Sequence, residues 1–205
     1  MEDFMKRPGI LRIFLHWPQW FGLVIAAVTV NIFPLPALAE VAYTPTNITI
    51  SGSGILKIDL NHDGVTDVSV VSSGKAIFCA GTGPGSFGSV YGLPAQGAGM
   101  VANGGYVLAL SSGIRVSPSS SFYGAEALMM QYSSCLWPPH INFGAWLNVS
   151  NRYLGLKFQI NGHTHYGWAR LTMTAGRFGP IATLTGYAYE TIAGQGVTTG
   201  QTSGP

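Results

Sequence analysis

Charge is scarce in this chain. Asp, Glu, Lys and Arg make up 9% of its 205 residues, and only six acids and seven bases lie beyond residue 39. Those bases form no cluster, which argues against a nucleic-acid or polyanion-binding protein. Cysteine is scarcer still: the two present, Cys79 and Cys135, make no C-x-x-C and no Cys/His ligand set, so a zinc or dithiol redox centre lacks its parts. Neither G-x-S-x-G nor H-E-x-x-H occurs. The carboxylates to spare for acid–base work are Glu126 and Glu190, and a glycosidase would need both in one cleft. The expectation is a protein that is not an enzyme.

Long apolar runs are confined to the first 39 residues. Lys6, Arg7 and Arg12 precede an apolar stretch from Phe21 to Val30, then Pro34 and Pro36, then Ala37-Leu38-Ala39, an A-x-A cleavage site. Residues 1–39 therefore read as a signal peptide, with the mature chain beginning near Glu40. The run is short for a membrane anchor, and no cysteine near the cleavage site invites a lipid. A secreted, extracellular or cell-surface protein with no membrane span after cleavage is expected.

Export changes what two cysteines mean. Outside the cytoplasm a Cys79–Cys135 disulfide is the expected state. Closing a loop of that size removes about 4 kcal/mol of unfolded-state entropy in the chain-entropy treatment. The remaining stretch of about 166 residues suits one domain, expected over residues 40–195, with residues 196–205 as a flexible tail.

Short β-branched and aromatic runs separated by Gly, Ser, Pro and Asn point to an all-β domain, expected to be a jelly-roll-like β-sandwich. Strands are expected at Asn47–Ile50, Ile55–Leu60, Thr66–Val71, Lys75–Ala80, Tyr106–Leu110, Tyr153–Ile160, Tyr166–Met173 and Ile181–Glu190. Ala125–Gln131 reads as a turn of helix or as another core strand. Between Gly81 and Gly105 the chain looks like a mobile glycine-rich loop. Its Gly83-Pro84-Gly85-Ser86-Phe87-Gly88 spells G-x-G-x-x-G, but no helix follows and a proline sits inside the turn, so it is no dinucleotide motif. Its aromatics, Phe87, Tyr91 and Tyr106, are either ligand contacts or packing.

The densest chemistry lies in Asp59-Leu60-Asn61-His62-Asp63-Gly64-Val65-Thr66-Asp67, which holds three of the six acids beyond residue 39. Asp59, Asn61, Asp63, the Val65 carbonyl and Asp67 occupy positions 1, 3, 5, 7 and 9 of a Ca²⁺ loop, with Gly64 at the sharp turn. Position 12, where an EF-hand carries a bidentate Glu, is Val70. With Ile55–Ile58 before and Val68–Val71 after, the expectation is strand, calcium loop, strand, the ion stabilising rather than catalytic. A solvated Asn/Asp-Gly turn is the alternative; three acids crowded together favour a cation.

Asn161-Gly162 between two alternating runs predicts a two-residue hairpin, because a type I′ turn needs positive φ at both central residues. That fixes the register: Ile160 opposite His163, Phe158 opposite His165, Leu156 opposite Gly167, Leu154 opposite Ala169. Leu154, Leu156, Phe158, Ile160, Ala169, Leu171 and Met173 then share the core face. The other face carries Tyr153, Lys157, Gln159, Thr164, Tyr166, Trp168 and Arg170, with Trp168 over Gly155. Tyr166 and Trp168 beside Lys157 and Arg170 are candidate ligand-binding residues, a platform for a sugar ring. Alternatively a loop or the Gly81–Gly105 segment covers the rings, the commoner fate of two large aromatics. His163 and His165 share a face at i and i+2, but a metal would need a third ligand such as His140 or Glu190; a core-edge pair is the plainer reading.

The Asp-rich loop, then Tyr153-Leu154-Gly155-Leu156-Lys157-Phe158, His165-Tyr166-Gly167-Trp168-Ala169-Arg170-Leu171 and Gly186-Tyr187-Ala188-Tyr189-Glu190-Thr191, together resemble a group of uncharacterised exported bacterial proteins, many of which carry a PEP-CTERM sorting tail. The resemblance implies a β-rich extracellular or surface-attached domain. This sequence ends Gln201-Thr202-Ser203-Gly204-Pro205 without Pro-Glu-Pro, apolar span or basic cluster, so free secretion is the simpler expectation. Low charge with abundant glycine and aromatics suits contact with polysaccharide or other matrix material, or with further copies of the chain as a self-associating structural protein.

Overall fold

The computed structural model describes residues 40–135 and 142–204. Residues 1–39, expected to be a signal peptide, and His140 lie outside the described residues. What is described is all-β: β1 (Val41–Ser51), β2 (Gly54–Ile58), β3 (Val68–Cys79), β4 (Gly83–Pro94), β5 (Gly99–Asn103), β6 (Tyr106–Val107), β7 (Arg115–Val116), β8 (Phe122–Tyr123), β9 (Ala127–Ser133), β10 (Asn142–Phe143), β11 (Val149–Ile160), β12 (His163–Gly176), β13 (Gly179–Glu190) and β14 (Val197–Thr198). Among the described residues no helix is long and apolar enough to cross a membrane.

Twelve strands form a sheet running β1-β13-β12-β11-β5-β6-β9-β4-β3-β2, with β10 on β9 and β8 on β5, and β14 pairs β7 separately. Strand β5 joins the two halves, since it pairs β11 on one side and β6 on the other. The two end strands, β1 and β2, follow each other in the chain, so the sheet is nearly closed. Between the halves lies the main core: Leu56, Ile58, Val68, Val70, Val90, Met129 and Met130 from one, Leu154, Leu156, Phe158, Leu171, Met173 and Leu184 from the other. The arrangement falls between an open sandwich and a barrel.

Local chemistry explains the clearest element. Asn161 (φ 51°) and Gly162 (φ 79°) both take the left-handed conformation of a type I′ turn. The β11–β12 register is the one the sequence predicts, with Ile160 opposite His163 and Gly155 opposite Trp168. Pro45, which has no N–H to donate, sits in the end strand β1 at a register shift between Pro45 and Ile48, where an unpaired donor would otherwise be needed. The Cys79–Cys135 disulfide is formed, with its Cα atoms 5.3 Å apart. Ala127–Ser133 is a core strand, and the runs at Thr66–Val71 and Lys75–Ala80 belong to one strand, β3.

Two expectations are corrected. Gly81–Gly105 is not a mobile loop: most of it is β4, hydrogen-bonded to β3 and β9 on its two sides, and β5. Its strand glycines Gly85, Gly88 and Gly92 are packing residues. A Cβ at Gly88 would lie 2.7 Å from both Pro180 Cδ and Tyr132 Cε1, and one at Gly85 or Gly92 would overlap the Cys79 or Met100 sulfur. Residues 196–204, the described part of the expected tail, are likewise not free. Val197 and Thr199 are buried, and Thr199 Oγ1 donates to the Ser111 carbonyl (2.7 Å) while accepting from the Ile114 N–H (2.9 Å).

If glycine is there for contact rather than for freedom, substitution should sort by neighbour. Gly88→Ala is expected to cost about 1–3 kcal/mol by overpacking, whereas Gly124→Ala, whose Cβ would meet only Ala98 O at 3.5 Å, should stay within about 0.5 kcal/mol. Equal midpoints in urea for the two variants would contradict this account.

Candidate functional site

The Asp-rich loop connects β2 to β3, and strand pairing holds its ends: Ile58 lies opposite Val68. At its base the Asp67 N–H donates to the Ile58 carbonyl (2.9 Å) and the Asp67 carbonyl accepts from Ala95 (2.8 Å). Above that base the main chain turns through positive φ at His62 (60°) and Gly64 (86°), the second of which suits only glycine well. The loop tip leans on the β1–β13 side, where His62 Nε2 and Thr44 Oγ1 share a 2.9 Å hydrogen bond and the His62 ring lies 5.8 Å from that of Tyr187.

Half the loop's oxygen inventory is already bound to main chain. Asp59 Oδ2 accepts from the Gly64 N–H (2.9 Å), Asp63 Oδ1 from Val65 (2.8 Å) and Asp67 Oδ2 from Leu60 (2.8 Å). These bonds fix the carboxylates in place. Asn61 Nδ2 donates to Asp63 Oδ2 (3.0 Å), which, with the Val65 bond, holds the Asp63 carboxyl below its ordinary range. Two of the loop's buried side-chain oxygens, Asp59 Oδ1 and Asn61 Oδ1, have no hydrogen-bond partner. Leaving a buried acceptor bare costs about 1–3 kcal/mol, and an anionic one more. Oxygen acceptors at positions 1 and 3, both bare and buried, are the chemistry that a hard, oxygen-seeking cation satisfies.

Asp67 is the loop's buried acid, 8% exposed. Loss of water, opposed by the Leu60 N–H and reinforced by the charges of Asp59 and Asp63, raises its carboxyl to about 6. Among the described residues no three Asp, Glu, His or Cys side chains group as a metal site by themselves; the loop instead mixes carboxylate, amide and main-chain carbonyl oxygens, the donor set that Ca²⁺ accepts. Asp59, Asn61, Asp63, the exposed Val65 and Asp67 thus lie together on one short loop, although Val65 shows itself only through its main chain.

The Tyr166–Trp168 platform is corrected by burial. Trp168 is fully buried and Tyr166 is 7% exposed, inside a second core with Val41, Val101, Val116, Tyr153, Ala188 and Val197. The cover is not the Gly81–Gly105 segment alone: it includes the small β7–β14 ladder, where Val116 pairs with Val197. The Trp168 ring packs edge-on against Tyr153 at 5.2 Å and beside Tyr43 at 5.8 Å. Lys157 and Arg170 are engaged too. Lys157 Nζ sits 5.3 Å from the Phe122 ring centre, and Arg170 donates to Thr185 Oγ1 (2.8 Å) and the Thr185 carbonyl (3.2 Å).

Exposed aromatics are found on the opposite half. Ile55 pairs with Val71, Val71 with Tyr91, Tyr91 with Leu128 and Leu128 with Tyr106. In each strand the neighbours of these residues, among them Leu56, Val70, Val90, Met129 and Val107, point into the core, so the five lie in one row on the outer face. Ile55 is 58% and Tyr106 45% exposed. Four strand spacings make the row about 19 Å long. Phe87 shares that face, opposite Lys75.

The remaining candidates are structural. His165 is buried and its Nδ1–H donates to the Glu190 carbonyl (2.9 Å), while His163 is exposed beside the hairpin turn. Glu190 Oε1 accepts from the main-chain N–H groups of Glu40 (3.2 Å) and Ile192 (3.0 Å), which ties down the start of β1. Neither a family model, a curated protein nor a solved structure matches this chain.

Asp67 gives a signed test. Its folded carboxyl titrates near 6 against 3.8 in the unfolded chain, so the folded state holds the proton more tightly and metal-free stability falls as pH rises from about 4 to about 6. Melting temperatures in chelator should decline across that window, and Asp67→Asn should flatten the decline. A flat profile for the parent protein would remove the crowded-acid account of the loop.

Proposed function

We propose that this chain is an exported, calcium-stabilised β-domain without catalytic activity that binds polysaccharide or related matrix material outside the cell. The observation that carries the calcium part is the pair of bare, buried oxygens, Asp59 Oδ1 and Asn61 Oδ1, within a loop whose acids are otherwise fixed by main-chain bonds. In this reading Asp59, Asn61, Asp63, Asp67 and the Val65 carbonyl hold the ion, which supplies the positive charge that three clustered acids need. The disulfide suits an oxidising compartment, and the resemblance to exported β-rich bacterial proteins agrees with it.

The binding surface in this reading is the outer-face row of Ile55, Val71, Tyr91, Leu128 and Tyr106. An outer sheet face with the exposed Tyr106 ring and the half-buried Tyr91 ring presents aromatic surface to the C–H face of a sugar, and Lys57, Ser69, Ser73 and Gln131 on the same face offer hydrogen bonds to hydroxyls. Self-association through strand edges receives less support: β2 is only five residues long with Lys57 outward, and β1 is interrupted at Pro45, both features that blunt an edge.

Native gels cast with bacterial and plant polysaccharides, run in calcium and in chelator, test the whole reading. Retardation by at least one polysaccharide is expected, with loss of retardation and unchanged melting in Tyr91→Ala and Tyr106→Ala. Trp168→Ala should instead destabilise the fold by about 3–5 kcal/mol, as for any buried Trp. Calcium should raise the melting temperature of the parent protein but not of a double variant, Asp59→Asn with Asn61→Ala. Uniform mobility in every gel would sink the glycan part, and an unchanged melt in excess chelator the calcium part.

A further inference from the structure

A groove of about 430 Å³ opens where the β12–β13 hairpin tip passes the ends of β4, β9 and β10. Its lining mixes neutral polar side chains, including Ser86, Tyr132, Asn142 and Asn148, with apolar ones such as Ala76, Leu147 and Phe178. Among the described residues Arg177 is its one charged lining residue, and no Asp or Glu lines it. All six acids beyond residue 39 lie elsewhere, three of them in the calcium loop. The groove therefore carries a positive field that no described wall residue neutralises.

The Arg177 guanidinium lies 5.5 Å from the Phe178 ring centre. Stacked on a ring in this way, a guanidinium keeps its N–H edge for a planar anion, which it meets bidentately if that anion is a carboxylate. Phe178, 68% exposed, also offers a face to a sugar. The walls are well fixed. Tyr132 Oη donates to the Gly176 carbonyl (2.9 Å), Asn148 Oδ1 accepts from the Ala175 N–H (2.9 Å), and Gly74 and Gly88 let the tip seat against β3 and β4. A preformed groove with amide and hydroxyl groups, one ring and one unneutralised cation matches an acidic sugar better than a neutral one.

We propose that this groove binds a uronate-bearing oligosaccharide, with the sugar carboxylate on Arg177 and the pyranose ring on Phe178. This rests on the polysaccharide-binding reading and names its ligand class, but uses a surface separate from the Tyr91–Tyr106 row.

Isothermal titration with a glucuronate-containing hexasaccharide, and with the same hexasaccharide methyl-esterified at its carboxylates, tests it in calcium-containing buffer. The acidic form is expected to bind at least about tenfold more tightly than the ester, and Arg177→Ala to abolish that difference while melting like the parent. Phe178→Ala should weaken both forms. Equal affinity for acid and ester, an Arg177→Ala protein that still discriminates, or no binding of either sugar would overturn the proposal. So would Arg177-dependent capture by phosphatidylglycerol vesicles without any hexasaccharide binding, which would reassign the groove to an anionic lipid surface. Gel retardation lost in Tyr91→Ala but present in the parent would keep the general glycan reading standing even if the groove failed.

Discussion

Close contact of backbone on backbone, with no side chain between, closes this domain at one end. A Cβ on Gly74 would overlap Gly179, and one on Gly179 would lie 2.8 Å from Gly52 Cα. Through those contacts the β12–β13 tip seats on β3 and on the β1–β2 connection, whose Gly52 N–H donates to the Pro180 carbonyl (2.8 Å). Strand β5 joins the halves by hydrogen bonds at one place, and the glycine contacts join them by packing at another. A nearly closed sheet needs both, because its end strands follow each other in sequence and must be brought together without a large side chain between them.

Electrostatics then decide where the fold is incomplete by itself. A chain with so few charges places three carboxylates within nine residues and buries one of them, Asp67, between β2 and β3. The main-chain N–H groups of Leu60, Gly64 and Val65 hold one oxygen of each acid, which orders the loop but does not cancel its charge. Repulsion between carboxylates and the bare oxygens of Asp59 and Asn61 act in the same direction. One divalent cation would relieve both, and on the proposed reading it would link the loop's stability to the β1–β13 side through the His62 contacts with Thr44 and Tyr187.

What could be read from sequence was what is decided locally. Asn161-Gly162 dictates its own turn, and a two-residue turn dictates every pair of the β11–β12 ladder, so the core face followed. The crowding of acids in the Asp-rich loop could be read for the same reason, its oxygen side chains alternating within nine residues of the chain. The fate of the opposite face was not local. Trp168 and Tyr166 are covered in part by Val116 and Val197, each from a two-residue strand some 50 or 30 positions away with no periodicity of its own to read. Glycine misled for a related reason: mobile loops and tightly packed strands are both rich in it, and only the neighbours, Pro180 and Tyr132 at Gly88 for instance, tell them apart.

Covering Trp168 redistributes the aromatic surface. The half built from β1, β11, β12 and β13 carries core residues on both faces, the main core within and the second core outside, and the second core buries Trp168 and Tyr166. The half built from β2, β3, β4, β6 and β9 has its core on one side only, so the residues that alternate outward, Tyr91 and Tyr106 among them, face solvent by the period of the strand. A sheet packed on both faces is a rigid support; a sheet packed on one is a support with a surface. On the proposed reading, recognition would fall to the singly packed half and to the groove at its end, while the Asp-rich loop, at the joint between β2 and β3, would hold the register on which that surface depends.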